Sequence, residues 1–198
     1  MQRMKALMTL SLLLSTLILI SCDDDAPAAE NEEEIITNVT LTFTPQGGGN
    51  AVTATAVDPD GEGPRELEIV TDISLAANTT YTLSLDLLNS IEGESITEEI
   101  LEEDEEHMFF FGWTADFFSN PTGDGNIGEG NRSDNVNYLD QDAMGNPLGL
   151  ETSWTTAEAR TGGSFRVILK HQPNVKSETS DSQDGESDID ISWGLTIN

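Results

Sequence analysis

Cysteine, histidine and basic residues are all scarce in this chain of 198 residues. It contains one cysteine, two histidines and only 8 Lys plus Arg against 37 Asp plus Glu, for a net charge of −29. A single cysteine excludes an intramolecular disulfide, so stability must come from packing, hydrogen bonds or a bound metal. Because such an acidic surface repels nucleic acid and anionic lipid, we expect neither as a partner. Cations and basic proteins are favoured instead.

The sequence also lacks the motifs of common enzyme classes. Gly-x-Ser-x-Gly, a phosphate-binding glycine loop and His-Glu-x-x-His do not occur in it. A pair of carboxylates could serve glycoside hydrolysis, but among 37 acidic residues no pair stands out. We therefore predict that the protein is not an enzyme.

The N-terminal apolar stretch is short. Arg3 and Lys5 precede residues 7–20, which carry no charge and fall short of the roughly 20 residues that a membrane span needs. A basic start, a short apolar stretch and then the small residue Ser21 are typical of a cleaved secretory signal peptide. We predict that residues 1–21 form this signal peptide.

The residues around the predicted cleavage point suggest an anchor. Leu19-Ile20-Ser21-Cys22 resembles the lipobox of bacterial lipoproteins, in which the cysteine is acylated and becomes the mature N-terminus. Several chains such as palmitate, at about 0.8 kcal/mol per buried methylene, hold a protein firmly to a membrane. The resemblance predicts lipidation of Cys22 and attachment to a membrane through this lipid.

An acidic segment follows the cysteine. Seven of the twelve residues from Asp23 to Glu34 are acidic and none is aromatic, so we predict an extended, lipidated tether over residues 22–34. The Cys-Asp-Asp-Asp start resembles the signal that sends some Bacteroidota lipoproteins to the outer face of the outer membrane. That resemblance implies a cell-surface outer-membrane lipoprotein, with a periplasm-facing one as the alternative.

Period-two alternation of apolar residues dominates the remainder of the chain. The candidate strands are residues 36–44, 52–57, 67–75, 79–87, 108–113, 136–139, 152–156, 164–171 and 189–197. Short strands separated by Gly, Pro and Asp predict an all-β fold, an antiparallel β-sandwich (Ig-like or jelly-roll-like) of about 8–9 strands. We expect a single domain over residues 35–198.

One short acidic helix interrupts the strands. Ser95 and Glu98 form a capping-box pattern, and Ile96, Ile100 and Leu101 provide a narrow apolar stripe. Glutamates crowd the remaining positions of this segment. They oppose the helix dipole near its C-terminal end, where a cation would relieve them.

Aromatic residues and one long loop could contact a ligand. Trp113, Trp154 and Trp193 lie in strand patterns, which favours the core over stacking on sugar rings. The same interpretation applies to Phe109, Phe110, Phe111, Phe117 and Phe118. The glycine-rich residues 120–135 form a long polar loop and are the best candidate for ligand contact.

The two histidines are candidate metal ligands. We expect His107 to end the acidic helix and His171 to close a strand. Neutral imidazole binds zinc or copper well, so that His107, His171 and a carboxylate such as Glu103 would form an open site if those ends meet. Alternatively, His107 is a partner of the helix dipole and His171 an edge residue.

Two Asp-Gly loops place carboxylates as calcium loops do. The candidate ligands are Asp58, Asp60 and Glu62 in the first loop, and Asp140, Asp142 and Glu151 in the second. Met144 stands where the second loop should offer an oxygen donor. Because Asp and Gly also favour plain turns, two turns between strands are the alternative. Calcium and zinc are the candidate cofactors, and the sequence does not choose between them.

Several segments together resemble a family of small acidic Bacteroidota lipoproteins. They are Ile96-Thr97-Glu98-Glu99-Ile100, Glu105-Glu106-His107-Met108-Phe109-Phe110, Leu148-Gly149-Leu150-Glu151-Thr152-Ser153-Trp154 and Leu169-Lys170-His171-Gln172-Pro173. Some such proteins carry a type 1 periplasmic-binding-fold label, but that fold needs repeated βαβ units, which the strands predicted here do not provide. The resemblance implies an outer-membrane accessory protein beside a TonB-dependent receptor, and it identifies no catalytic residue.

Three functions remain open at this stage. The first is a lipid-anchored cell-envelope binding module that captures a metal ion or another ligand for uptake by a TonB-dependent receptor. The second is a structural or adhesive surface lipoprotein whose loops are stabilised by calcium. The third is a glycan-binding protein, which requires exposed tryptophan.

Overall fold

The computed structural model describes residues 34–61, 66–128 and 136–198. The predictions for the signal peptide, Cys22, most of the tether and Glu62 lie outside these residues. The elements are β1 (Asn38–Pro45), β2 (Val52–Val57), β3 (Glu68–Thr71), β4 (Ile73–Leu75), β5 (Thr80–Asn89), β6 (Glu94–Ser95), α1 (Ile96–Glu102), β7 (His107–Trp113), β8 (Phe118–Asn120), β9 (Asn137–Tyr138), β10 (Glu151–Thr156), β11 (Arg160–His171) and β12 (Glu186–Ile197).

These strands form two sheets that share one core, which confirms the all-β, sandwich-like fold. The larger sheet has the order β3-β2-β1-β5-β10-β8, with β6 beside β5 and β9 beside β10, and the smaller has the order β4-β12-β11-β7. Neighbouring strands are antiparallel except β4 and β12, which run parallel. The described residues all belong to one compact unit.

Alternating side chains of both sheets fill the core. Leu41 and Phe43 of β1 are fully buried, as are Trp154 of β10 and Phe165 of β11. The Trp154 and Phe165 rings meet edge to face with centroids 5.0 Å apart, so the aromatic groups join the two sheets. All three tryptophans and all seven phenylalanines of the chain are buried, as the strand patterns predicted.

The predicted strand over residues 67–75 is wrong in one respect, because the chain changes sheets within it. β3 pairs with β2 in the larger sheet, whereas β4 pairs with β12 in the smaller one. Asp72 lies between them, and its Oδ1 accepts a hydrogen bond of 2.8 Å from the backbone N–H of Gly194 in β12. This contact fixes the corner at which the chain crosses from one sheet to the other.

The short acidic helix is present and begins as predicted. The Oγ of Ser95 accepts a hydrogen bond of 3.3 Å from the backbone N–H of Glu98. Ile96 and Ile100 are buried, but Leu101 is 54% exposed, so the predicted apolar stripe is narrower. The helix ends at Glu102, and the prediction that His107 ends the helix is wrong because this residue begins β7.

The described part of the glycine-rich loop closes the outer edge of β7. The Asn126 side chain accepts a hydrogen bond of 2.9 Å from the backbone N–H of Phe111 and donates one of 2.7 Å to the Tyr138 hydroxyl. Gly125 adopts a φ of +118°, and an added Cβ there would collide with the carbonyl oxygen of Phe111. These residues cover a sheet edge, while residues 129–135 of the predicted ligand loop lie outside the described ranges.

Across the ranges that the structure describes, no helix has the length and apolar character of a membrane span.

Candidate metal centre

The two histidines face each other across neighbouring strands. His107 opens β7 and His171 closes β11, and the antiparallel register places them directly opposite. Their rings stack with centroids 4.5 Å apart and planes inclined by 8°. His107 is fully buried, while the side chain of His171 is 12% exposed. The structure therefore brings together the two element ends whose meeting the predicted metal site required.

One hydrogen bond fixes the tautomer of neutral His107. Its Nδ1 lies 3.2 Å from the backbone carbonyl oxygen of Glu103, in the turn that follows α1. A carbonyl oxygen only accepts hydrogen bonds, so Nδ1 carries the proton and donates it. The neutral ring therefore presents a lone pair at Nε2, on its opposite side.

That nitrogen lies near two half-buried carboxylates. Nε2 of His107 lies 3.2 Å from Oε1 of Glu34, and one donor atom each from Glu34, His107 and Asp188 lies within 4.8 Å of the others. Nε2, Oε2 of Glu34 and Oδ2 of Asp188 are all buried without a hydrogen-bond partner among the described residues. The contact with Oε1 has the distance of an ion pair but not the direction of a hydrogen bond. We call these three residues the His107 cluster.

The electrostatics of the His107 cluster favour a positive charge. Burial and the nearby charge of Glu34 raise the pKa of Asp188 from 3.8 to about 6. Burial alone would lower the pKa of His107, but the close contact with the charged Glu34 carboxylate and the hydrogen bond to the carbonyl of Glu103 outweigh burial and raise this pKa. The charge of Glu34 contributes to both shifts, because a nearby carboxylate makes a neighbouring group bind a proton, or another cation, more tightly.

A second group of potential ligands shares His107. Donor atoms of Glu103, His107 and His171, the set predicted from the sequence, also lie within 4.8 Å of one another. The Nε2 of His171, however, lies 3.3 Å from Oε2 of Glu106. The two imidazoles are nearly parallel, and nitrogen lone pairs lie in the ring planes. One ion cannot lie in both planes, so this set fits a metal less well than the His107 cluster.

Two cavities adjoin the carboxylates of the His107 cluster. Glu34 and Asp188 line a cavity of about 330 Å³, together with Ile36, Ile189 and the acidic Glu66 among others. The same two carboxylates line a smaller one of about 160 Å³. Both carboxylate residues of the His107 cluster therefore border open space.

The first Asp-Gly loop forms a tight turn. Oδ1 of Asp58 accepts hydrogen bonds of 3.1 Å from the backbone N–H groups of both Asp60 and Gly61, as an aspartate at the start of a turn does. The side chain of Asp58 is buried and that of Asp60 is exposed. These contacts match the turn alternative, and calcium binding here stays a prediction because Glu62 lies outside the described residues.

Asp140 and Asp142 of the second Asp-Gly loop bind groups within the chain. Asp140 accepts hydrogen bonds from the backbone N–H groups of Gly149, at 2.8 Å, and Glu151, at 2.9 Å. Oδ2 of Asp142 lies 3.0 Å from the ammonium of Lys176, and both side chains are fully buried or nearly so. These contacts match the turn alternative, and calcium binding at the second loop stays a prediction.

The pKa of Asp142 agrees with this pairing. Burial alone would raise it, but the backbone N–H of Asn146 and the charge of Lys176 outweigh burial and lower it. The side chain of Glu151 is exposed in β10 and is not part of either group of potential metal ligands within the described ranges.

Sequence reasoning missed Glu34 and Asp188. Glu34 belongs to an acidic run that predicts a solvated tether, yet its side chain is only 12% exposed and it contacts His107. Asp188 alternates with the buried Ile189 in β12, a pattern that predicts a solvent-facing residue, but Asp188 is half-buried. No local signal identifies either residue, because their burial depends on contacts between distant segments.

Comparison of the chain with protein-family models, with curated proteins and with solved structures finds no match in any of the three. The resemblance to Bacteroidota lipoproteins therefore stays an expectation that rests on the sequence segments quoted above.

Proposed function

We propose that this protein is a lipid-anchored binding module of the cell envelope that captures a divalent metal ion at the His107 cluster. One observation carries the proposal: Glu34, His107 and Asp188 offer donor atoms within 4.8 Å of one another, and Nε2 and one oxygen of each carboxylate are buried without a hydrogen-bond partner among the described residues. Buried polar groups normally have hydrogen-bond partners, so these three atoms are candidates to bind a cation. Nitrogen and carboxylate donors together are a ligand set that zinc and related ions accept.

The charge of the whole chain supports the same proposal. A net charge of −29 concentrates cations near the surface and speeds their capture. The anchor predicted at Cys22 would hold the domain at the outer membrane, and the predicted tether would let it reach a neighbouring TonB-dependent receptor. In this account the protein binds and presents a metal ion, and it catalyses no reaction.

The two alternative functions have less support. Glycan binding rested on exposed tryptophan, and Trp113, Trp154 and Trp193 are all buried. A calcium-stabilised adhesive protein needs oxygen-rich loops, but the second Asp-Gly loop binds Lys176 instead. Calcium also requires six to eight oxygen ligands, whereas the His107 cluster offers a nitrogen.

Zinc titration of the full chain tests the proposal. The protein, purified in mild detergent and stripped with a chelator, is titrated with zinc in a calorimeter and then melted with and without the metal. We expect binding at micromolar concentration or tighter and a rise in melting temperature, because an ion bound only to the folded state stabilises it. No heat and no stabilisation at micromolar zinc would refute metal capture. Stabilisation by calcium alone would favour the adhesive alternative.

The predicted partner needs a separate test. A pull-down from envelope extract with the acylated protein should recover a TonB-dependent receptor. Recovery of no such receptor would remove this partner from the proposal and leave metal capture standing.

A further inference from the structure

We infer that the captured ion is held by three protein ligands, Glu34, His107 and Asp188, with an open coordination position on the cavity side, and that His171 positions His107 without binding the ion. The inference rests on the proposed function, since it specifies how that site binds metal. It also departs from the ligand set that the sequence suggests, in which His171 and Glu103 join His107.

The spacing of the donor atoms supports this ligand set. Two ligands of a tetrahedral zinc ion, each about 2.05 Å from the metal, lie about 3.3 Å apart. Nε2 of His107 and Oε1 of Glu34 are 3.2 Å apart, which is also the spacing that a shared zinc ion would give them. Asp188 has a donor atom within 4.8 Å of both, close enough for its carboxylate to face the same ion.

The surroundings of His107 match those of a metal-binding imidazole. Such a histidine donates its second ring N–H to a carbonyl or carboxylate, which fixes the ring and strengthens the metal-binding nitrogen. Nδ1 of His107 bonds to the carbonyl oxygen of Glu103 in this way. Glu103 therefore acts through its backbone, and its carboxylate is dispensable.

The stacked partner supports the orientation of His107. His171 lies parallel to His107, and its Nε2 faces the carboxylate of Glu106. An ion in the ring plane of His107 would lie outside the ring plane of His171, so His171 cannot complete the coordination without turning. Its flat face restricts the His107 ring, and any flat ring at this position should do the same.

The open coordination position would allow the bound ion to be transferred to another molecule. Three protein ligands leave a fourth position of zinc for solvent or for a donor from another molecule. Because Glu34 and Asp188 border a cavity of about 330 Å³, an outside donor can approach the ion from there. A module that hands its ion to a receptor requires such an accessible position.

The test compares four matched variants of the full chain. Zinc affinity is measured by competition with a chromophoric chelator for Glu34→Gln, Asp188→Asn, His171→Phe and Glu103→Gln, after each variant is shown to melt cooperatively. The first two replace a carboxylate by an uncharged amide of nearly the same shape, and we expect each to weaken zinc binding at least about tenfold. The other two keep the stacked ring and the backbone carbonyl, and we expect a change of less than about threefold.

Cobalt provides a readout that reports coordination directly. Cobalt bound to the unchanged chain should show the intense visible bands of a tetrahedral ion, and these should be lost in Asp188→Asn but kept in His171→Phe. Added imidazole should shift the bands while the cobalt stays bound, because it enters the open position. Unchanged bands at millimolar imidazole would overturn the open position.

The outcomes separate the inference from the proposed function. Weakening by His171→Phe or Glu103→Gln comparable to that by Asp188→Asn would place the metal between the histidines and overturn the inference, while metal capture stands. Zinc binding that none of the four substitutions weakens would place the ion elsewhere and overturn the inference too. If the unchanged full chain binds no zinc, both the proposed function and the inference fail.

Discussion

The substitution Asp188→Asn should make the metal-free protein more stable although it damages the proposed site. The carboxyl of Asp188 binds its proton more tightly in the folded chain, because burial and Glu34 raise its pKa from 3.8 to about 6. Its contribution to stability is therefore complete below about pH 4 and is lost as the pH rises through 6. Asparagine cannot ionise, so the variant avoids this loss.

The pKa shift sets the size of the effect. A rise of about two units corresponds to at most about 3 kcal/mol in the free energy of unfolding at neutral pH. Asp188 is only half-buried, so solvent screening reduces this figure, and we expect a gain of about 1–2 kcal/mol near pH 7.5. Near pH 4 the gain should disappear, since aspartic acid is then largely protonated in the folded state.

Urea unfolding of the full chain in a metal chelator measures this difference. Asp190→Asn is the matched control, because Asp190 lies two residues away in β12 but is exposed and paired with Arg166. The control should lose less than about 1 kcal/mol, as exposed ion pairs do. A variant Asp188→Asn that is less stable than the unchanged chain near pH 7.5, or equally stabilised at pH 4, would refute the reasoning.

Three further predictions concern other parts of the molecule. Lys176→Met should lower the free energy of unfolding by about 3–5 kcal/mol, because it leaves Asp142 as an unpaired buried charge. The control Arg166→Met breaks an exposed ion pair and should cost less than about 1 kcal/mol. Similar urea midpoints for the two variants would contradict the claim that the buried pair matters more. Gly125→Ala should cost more than about 2 kcal/mol, since its φ of +118° and a close backbone carbonyl leave no room for a Cβ, and an unchanged melting temperature would contradict this packing. Cys22→Ala should remove the acyl groups and release the protein from the membrane fraction. A variant that still carries acyl groups by intact-mass measurement, or that stays in the membrane fraction, would refute the predicted anchor.

The fold follows from the sequence wherever one strand buries a single face. The alternation in β1, β5 and β12 is regular enough to place these strands from the sequence alone. The corner at Asp72 could not be predicted, because the change of sheets depends on a contact with Gly194, more than a hundred residues later. β6 and β8, with two and three residues, are too short to show a period.

The candidate site could be predicted only in part, for a related reason. The two histidines, expected at the end of the helix and at the end of a strand, predicted a metal site, but only the register of β7 and β11 places them opposite each other. The parallel stacking of the His107 and His171 rings depends on side-chain packing. Glu34 lies in a run of acidic residues whose composition predicts a solvated segment. Composition describes the segment as a whole, so it does not identify the one residue that folds against the domain.

Crystals of the full chain grown with zinc test the central claim most directly, through an anomalous difference map at the zinc edge. The account predicts a peak about 2.0–2.1 Å from Nε2 of His107 and at similar distances from carboxylate oxygens of Glu34 and Asp188. A map with no peak in the His107 cluster, or with zinc only at the Asp-Gly loops, would contradict it.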